Sequence, residues 1–121
     1  MDVNELIEVY TGAWGEPERG RRLALLEQAW AEDGLYADPS AHVAGRTALV
    51  DHIGGVLRSH PGARFVLTSA VQVHHRFLRF AWKMVLPDGS VQLEGLDIGD
   101  LSPGGQLQRI VGFFGPLPGQ R

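Results

Sequence analysis

The sequence predicts an α+β fold in which three N-terminal helices pack on a curved, mainly antiparallel sheet. Two observations carry that prediction. Up to about residue 60 the apolar side chains recur every three or four positions, and beyond it they alternate, so helical and extended stretches occupy separate runs. The 121 residues contain no internal repeat, low-complexity tract or linker, which predicts one domain over residues 1–121 with an ordered core over about 3–115.

The first helix is expected over residues 3–14. Leu6, Tyr10 and Trp14 follow at four-residue steps with Ile7 beside them, and Asp2 or Asn4 is placed to cap the start. A polar break at residues 15–20 leads into a second helix over about 17–31, with Pro17 in its first turn and Leu23, Leu26 and Trp30 on its inner stripe. Asp33-Gly34 is expected to end it, and residues 35–42 to be short, irregular or extended. A third helix runs from Arg46 or Thr47 to Ser59, turns Leu49, Ile53, Val56 and Leu57 inward, and stops at Pro61-Gly62.

The period then falls to two. Residues 63–74 read as a strand, and 76–86 as another with Phe80, Trp82 and Met84 facing one way and Arg79 and Lys83 the other. Turns at Pro87-Asp88-Gly89 and Pro103-Gly104-Gly105 separate the next strands, 91–101 and 106–114, which gives a four-strand meander. Glycines at 95, 99 and 112 suit a bending sheet, and residues 115–121 read as a loose tail.

Asp97 breaks this pattern. It falls among Val91, Leu93, Gly95, Gly99 and Leu101, where a strand's apolar face continues, and a carboxylate in that place must be paired, protonated or engaged in chemistry. Tyr10 on the first helix and Asp38 in Leu35-Tyr36-Ala37-Asp38-Pro39 stand in similarly apolar company. The three are expected to converge on one pocket walled by Trp14, Trp30, Phe65, Phe80, Trp82, Met84 and Phe114, flat apolar side chains that suit a planar hydrophobic small molecule. Such a set fits proton transfer next to a carbonyl, which needs a base near an acidic C–H and donors near the oxygen that gains charge.

Composition narrows the alternatives. Eleven basic against 14 acidic residues give a net charge of -3, which offers no basic face for nucleic acid. Without cysteine there is no thiolate nucleophile and no sulfur-based zinc site. The acidic start and the lack of any apolar run of about 18 residues predict a cytoplasmic protein without a membrane span. His74 and His75 are neighbours on a strand and point to opposite faces, so no metal site is expected, and His42, His52 and His60 read as surface or loop residues. Arg19, Arg21 and Arg22 read as a solvated helix start, and Gly54-Gly55 lacks the context of a phosphate loop.

The order of elements, the Asp38-Pro39 pair, the Gly45-Arg46 that opens the third helix and the ending Ile110-Val111-Gly112-Phe113-Phe114 resemble the nuclear-transport-factor-2-like superfamily, especially its SnoaL-like branch. Within it the site positions are most similar to ketosteroid isomerases. The resemblance implies a cone-shaped fold and places their general base at Asp38, their oxyanion tyrosine at Tyr10 and their protonated aspartate at Asp97, with Phe80, Met84 and Phe114 on the pocket wall. Two further tyrosines that support the oxyanion group in some of those isomerases are replaced here by Trp30 and Ile53, and the segment between the first two helices is about four residues longer. The superfamily's epoxide-hydrolase branch is disfavoured, since Gly95 stands where its arginine is expected and Ile110 and Gly112 where the last strand would offer aspartate.

The resemblance thus implies a cofactor-independent enzyme, an isomerase or cyclase acting on a small hydrophobic carbonyl compound, and a homodimer. A non-catalytic pocket protein that binds hydrophobic ligands, or a dimerisation module, would use the same fold.

Overall fold

Helix α1, Val3–Ala13, begins where the Asp2 carboxylate accepts the Glu5 backbone N–H at 2.9 Å. It buries Leu6, Ile7 and Tyr10, the stripe that the spacing predicts. The computed structural model describes residues 1–120. Helix α2, Arg19–Ala29, is shorter than the expected 17–31 at both ends. Glu18 caps it by accepting the Gly20 and Arg21 N–H groups, which leaves Pro17 outside the first turn. Arg22 is not solvated: its guanidinium is buried and donates to the Val50 carbonyl at 2.9 Å and the Glu16 carbonyl at 2.7 Å, filling the space left by Gly54. That glycine therefore has a packing role.

Asp33-Gly34 does not end the second helix. Strand β1, Trp30–Asp38, starts directly after α2, and its register slips between Trp30 and Leu35. The slip folds the Trp30 indole against Gly34, where any side chain would collide with the ring. Strand β2, Ala41–Ala44, returns antiparallel to β1, and α3, Arg46–Ser59, follows with Leu49, Val50, Ile53 and Leu57 buried.

The expected strand over 63–74 is divided into β3, Arg64–Leu67, and β4, Gln72–His74, both antiparallel to β5, Phe77–Val85. Strands β6, Val91–Leu101, and β7, Leu107–Phe114, complete the order β2-β1-β7-β6-β5-β3, with β4 also on β5. The sheet therefore has seven strands rather than four, and it is mixed, because β1 runs parallel to β7. The helices cover its inner face, and Leu26, Leu49, Ile53, Leu107 and Ile110 close the core with no exposure. On the outer face Phe113 and Ile98 remain 56% and 44% exposed.

Residues 115–120 are exposed and without regular structure; Arg121, the end of the expected tail, lies outside the described residues. Among the described residues no helix is long and apolar enough to cross a membrane.

Candidate active site

Strand pairing brings the two aspartates together. Asp97 on β6 lies opposite Gly112 on β7, and on the other side of β7 the parallel register Ala37↔Val111 puts Asp38 beside the same glycine. A Cβ at position 112 would stand 2.8 Å from Asp97 Oδ1 and 3.5 Å from the Asp38 Cβ, so the missing side chain is what lets both carboxyl groups share one space. Gly95, paired with Trp82, plays a similar part: a side chain there would strike the Trp82 indole, whose Nε1 donates to Asp97 Oδ1 at 2.9 Å. Their spacing suggests sheet bending, and in the structure both also permit close approach of side chains.

Asp97 is 6% exposed. Burial pushes its carboxyl up to about 7, the Trp82 donation opposes the rise, and the negative charge of Asp38 adds to it. Near neutral pH it is therefore a proton donor in a large fraction of molecules.

Asp38 is differently held. Its Oδ2 accepts the Tyr36 hydroxyl at 2.5 Å, and its Oδ1 accepts the Ser40 N–H and hydroxyl, each at 2.7 Å. Alternation along β1 sets Tyr36 and Asp38 on the same face, and Pro39 turns the chain so that Ser40 comes back to the carboxylate. Three donors thus fix the orientation of a carboxylate that still faces the cavity.

Tyr10 is 1% exposed, lies flat on Trp30 at 5.6 Å between ring centroids, and its hydroxyl has no hydrogen-bond partner in the protein. Burial, then the charge of Asp97, holds the phenol well above its ordinary range; the nearby Trp14 indole N–H opposes this without the geometry of a hydrogen bond, and Asp38 adds to the rise. The hydroxyl keeps its proton and is a donor in search of an acceptor.

These three groups line one cavity of about 180 Å³. Of the expected wall, Trp14, Phe65, Phe80, Trp82, Met84 and Phe114 line it as well. Trp30 does not: with no exposure it sits behind Tyr10 as a core side chain, because the chain leaves the helix at this residue and the strand buries the indole. Tyr36, Ser40, Thr11, Val56, Leu93 and His60 complete the lining. Three of these have a local mark, Tyr36 and Leu93 by alternating with Asp38 and Asp97 and Val56 by the inner stripe of α3; Thr11, Ser40 and His60 have none.

His52 and His60 are not surface residues. Both are half-buried, His52 against Trp14 and Tyr36, and each has a buried ring nitrogen without a partner, Nε2 in His52 and Nδ1 in His60. His42, His74 and His75 are exposed. Among the described residues no three His, Asp or Glu side chains converge as metal ligands would.

No family model matches the chain, and no curated protein matches it. Solved structures do. A candidate isomerase of the SnoaL-like family from Agrobacterium tumefaciens strain C58 shares 34% identity over 93% of this chain and 97% of its own, with a TM-score of 0.88. At lower identity only the fold is shared: an NTF2-like protein from Exiguobacterium sp. 255-15 is 13% identical over 93% and 99% of the two chains, TM-score 0.74. A candidate SnoaL-like polyketide cyclase from Jannaschia sp. CCS1 is 12% identical over 92% and 85%, TM-score 0.67.

Proposed function

From the premise that this chain belongs to the SnoaL-like family of the NTF2-like fold, we propose that it is a cofactor-independent enzyme that moves a proton on a small hydrophobic carbonyl compound, as an isomerase or a cyclase. One observation carries this reading: two carboxyl groups of different environment and an unpartnered phenol line the same apolar cavity. Asp38 takes the proton from carbon and returns it. Tyr10 and protonated Asp97 donate to the oxygen on which charge develops, and the aromatic wall keeps water from competing for those donors.

Exchange of the α-protons of a cyclic ketone in deuterated water, followed by NMR, tests the reading. Wild-type protein is expected to accelerate exchange and Tyr10→Phe to reduce it about a hundredfold, as the loss of one oxyanion donor does elsewhere. A second reading, a passive pocket for hydrophobic ligands, draws on the three hydrogen bonds that tie Asp38 down. It is favoured if exchange stays at the solvent rate while ligands still raise the melting temperature.

The exposed Phe113 and Ile98 suit a second copy of the chain, so the working protein is proposed as a homodimer joined through the outer face of the sheet. Sedimentation is expected to give a dimer for the wild type and a monomer for Phe113→Asp; a dimer that survives this change would place the contact elsewhere.

A further inference from the structure

We infer that the cavity selects a single-ring ligand with two oxygen functions, one at the inner end against Tyr10 and Trp14 and a second at the rim against His60. The inference rests on the proton-transfer reading for what happens at the inner end, and goes beyond it in naming the size and polarity of the molecule.

Size comes from the volume. The cavity measures about 180 Å³. An apolar cavity of about 150 Å³ takes up benzene, so this one holds a ring with one or two small substituents, and a four-ring skeleton would have to stand largely outside it. The floor is tightly closed: Tyr10, Trp14, Phe80, Trp82 and Met84 are each 7% exposed or less, and Ile7 and Trp30 behind them have no exposure. Extra length has only the rim to go to.

Polarity comes from the unpaired atoms. Buried polar groups in folded proteins are nearly always hydrogen-bonded, and each that is not calls for a partner. Three such atoms belong to side chains that line this cavity: the Tyr10 hydroxyl, the Trp14 Nε1 and the His60 Nδ1. The first two lie close together, on the last turns of α1 and on the residue that caps it, with the Trp14 N–H near enough to the Tyr10 hydroxyl to affect its acidity. One ligand oxygen can accept from both.

His60 is set apart from them on the cap of α3, where its backbone N–H bonds the Val56 carbonyl. Like Val56 one turn before it, His60 is partly exposed, whereas Tyr10 and Trp14 are closed off from solvent. A ligand with a polar group at one end only would satisfy the inner donors and leave Nδ1 unpaired. A second oxygen across the ring satisfies it.

Binding of four probes, measured by calorimetry, tests this without any turnover: 4-ethylphenol, 3- and 4-(hydroxymethyl)phenol, and estradiol, a four-ring phenol. The single-ring phenols are expected to bind and estradiol to bind at least tenfold more weakly. Relative to 4-ethylphenol, the better of the two hydroxymethyl compounds is expected to lose about tenfold in affinity in His60→Leu, the effect of one stranded hydrogen bond. His60→Gln, which keeps a donor and an acceptor there, is expected to restore most of that preference; unchanged far-ultraviolet dichroism confirms that both variants are folded. Estradiol binding as tightly as the single rings, no binding of any single-ring phenol, or a hydroxymethyl preference untouched by His60→Leu would each overturn the inference. If the preferences hold while ketone α-protons do not exchange, the inference stands and the catalytic reading fails.

Discussion

Asp38→Asn is expected to slow α-proton exchange about a thousandfold, within the range that a positioned general base contributes. The amide has the shape of the carboxylate and keeps an oxygen that can accept the Ser40 N–H and hydroxyl, so the turn around Pro39 should persist and the melting temperature should hardly move. What is lost is the ability to accept a proton from carbon. A rate within threefold of wild type would remove Asp38 from the role of base.

The same variant has a second consequence, which reports the proximity of the two carboxyl groups whatever the role of Asp38. The charge of Asp38 contributes to holding the Asp97 carboxyl up near 7, so Asp38→Asn should bring the Asp97 titration to lower pH. Titration of the labelled Asp97 carboxyl by NMR reads this directly, with the shift downward if the two groups share one space as Gly112 allows. Tyr36→Phe removes the 2.5 Å hydrogen bond at Asp38 Oδ2 and frees the carboxylate to turn. It is expected to lower the exchange rate about tenfold, the smaller loss reflecting orientation rather than chemistry.

Much of this arrangement is legible in the sequence, and the illegible part has identifiable causes. Asp97 stands out because alternation assigns it to an apolar face, and β6 occupies the expected residues 91–101. Helices α1 and α3 follow their apolar stripes to within a residue or two. The second helix is overextended because Trp30 continues the spacing of Leu23 and Leu26, and both a helix and the strand that replaces it would bury that indole. Strand β1 escapes for a related reason: it is parallel to β7, some 70 residues further on, and a pairing so distant leaves no periodic trace locally. A bulge at Asp33-Gly34 looks like a helix end.

The burial of His60 and His52 has no local sign either. Nothing near His52 in the chain announces that Trp14 and Tyr36, from two other elements, close over it. Asp38 carries only a weak mark by itself, and its conjunction with Asp97 becomes physical through Gly112, a glycine whose spacing suggests bending and whose effect is proximity.

The pH dependence of Asp97 gives the other large effect. Its carboxyl sits near 7 in the folded protein and near 4 in the unfolded chain. Below pH 4 both states are protonated and the fold has its full stability from this group. Between 4 and 7 only the folded state retains the proton, so stability falls as pH rises. Above 7 the charge must be carried in an apolar cavity, and the deficit levels off at roughly 4 kcal/mol, three pH units at about 1.4 kcal/mol each. Asp97→Asn keeps an acceptor for the Trp82 indole N–H and never ionises, so it is expected to abolish this slope and to be more stable than wild type at pH 8, by denaturant unfolding. Activity should follow the same group in the same direction: if protonated Asp97 is a donor, the exchange rate of wild type declines as pH passes 7, whereas Asp97→Asn, whose amide can still donate, retains much of its rate and shows no decline there. Asp97→Leu can neither accept from Trp82 nor donate to a substrate, and it should lose rate at every pH and stability in acid, where the wild-type carboxyl is neutral. A wild-type rate that rises through pH 7 would reverse the roles, making Asp97 the group that takes the proton and leaving Asp38, tied to Tyr36 and Ser40, as the fixed charge beside it.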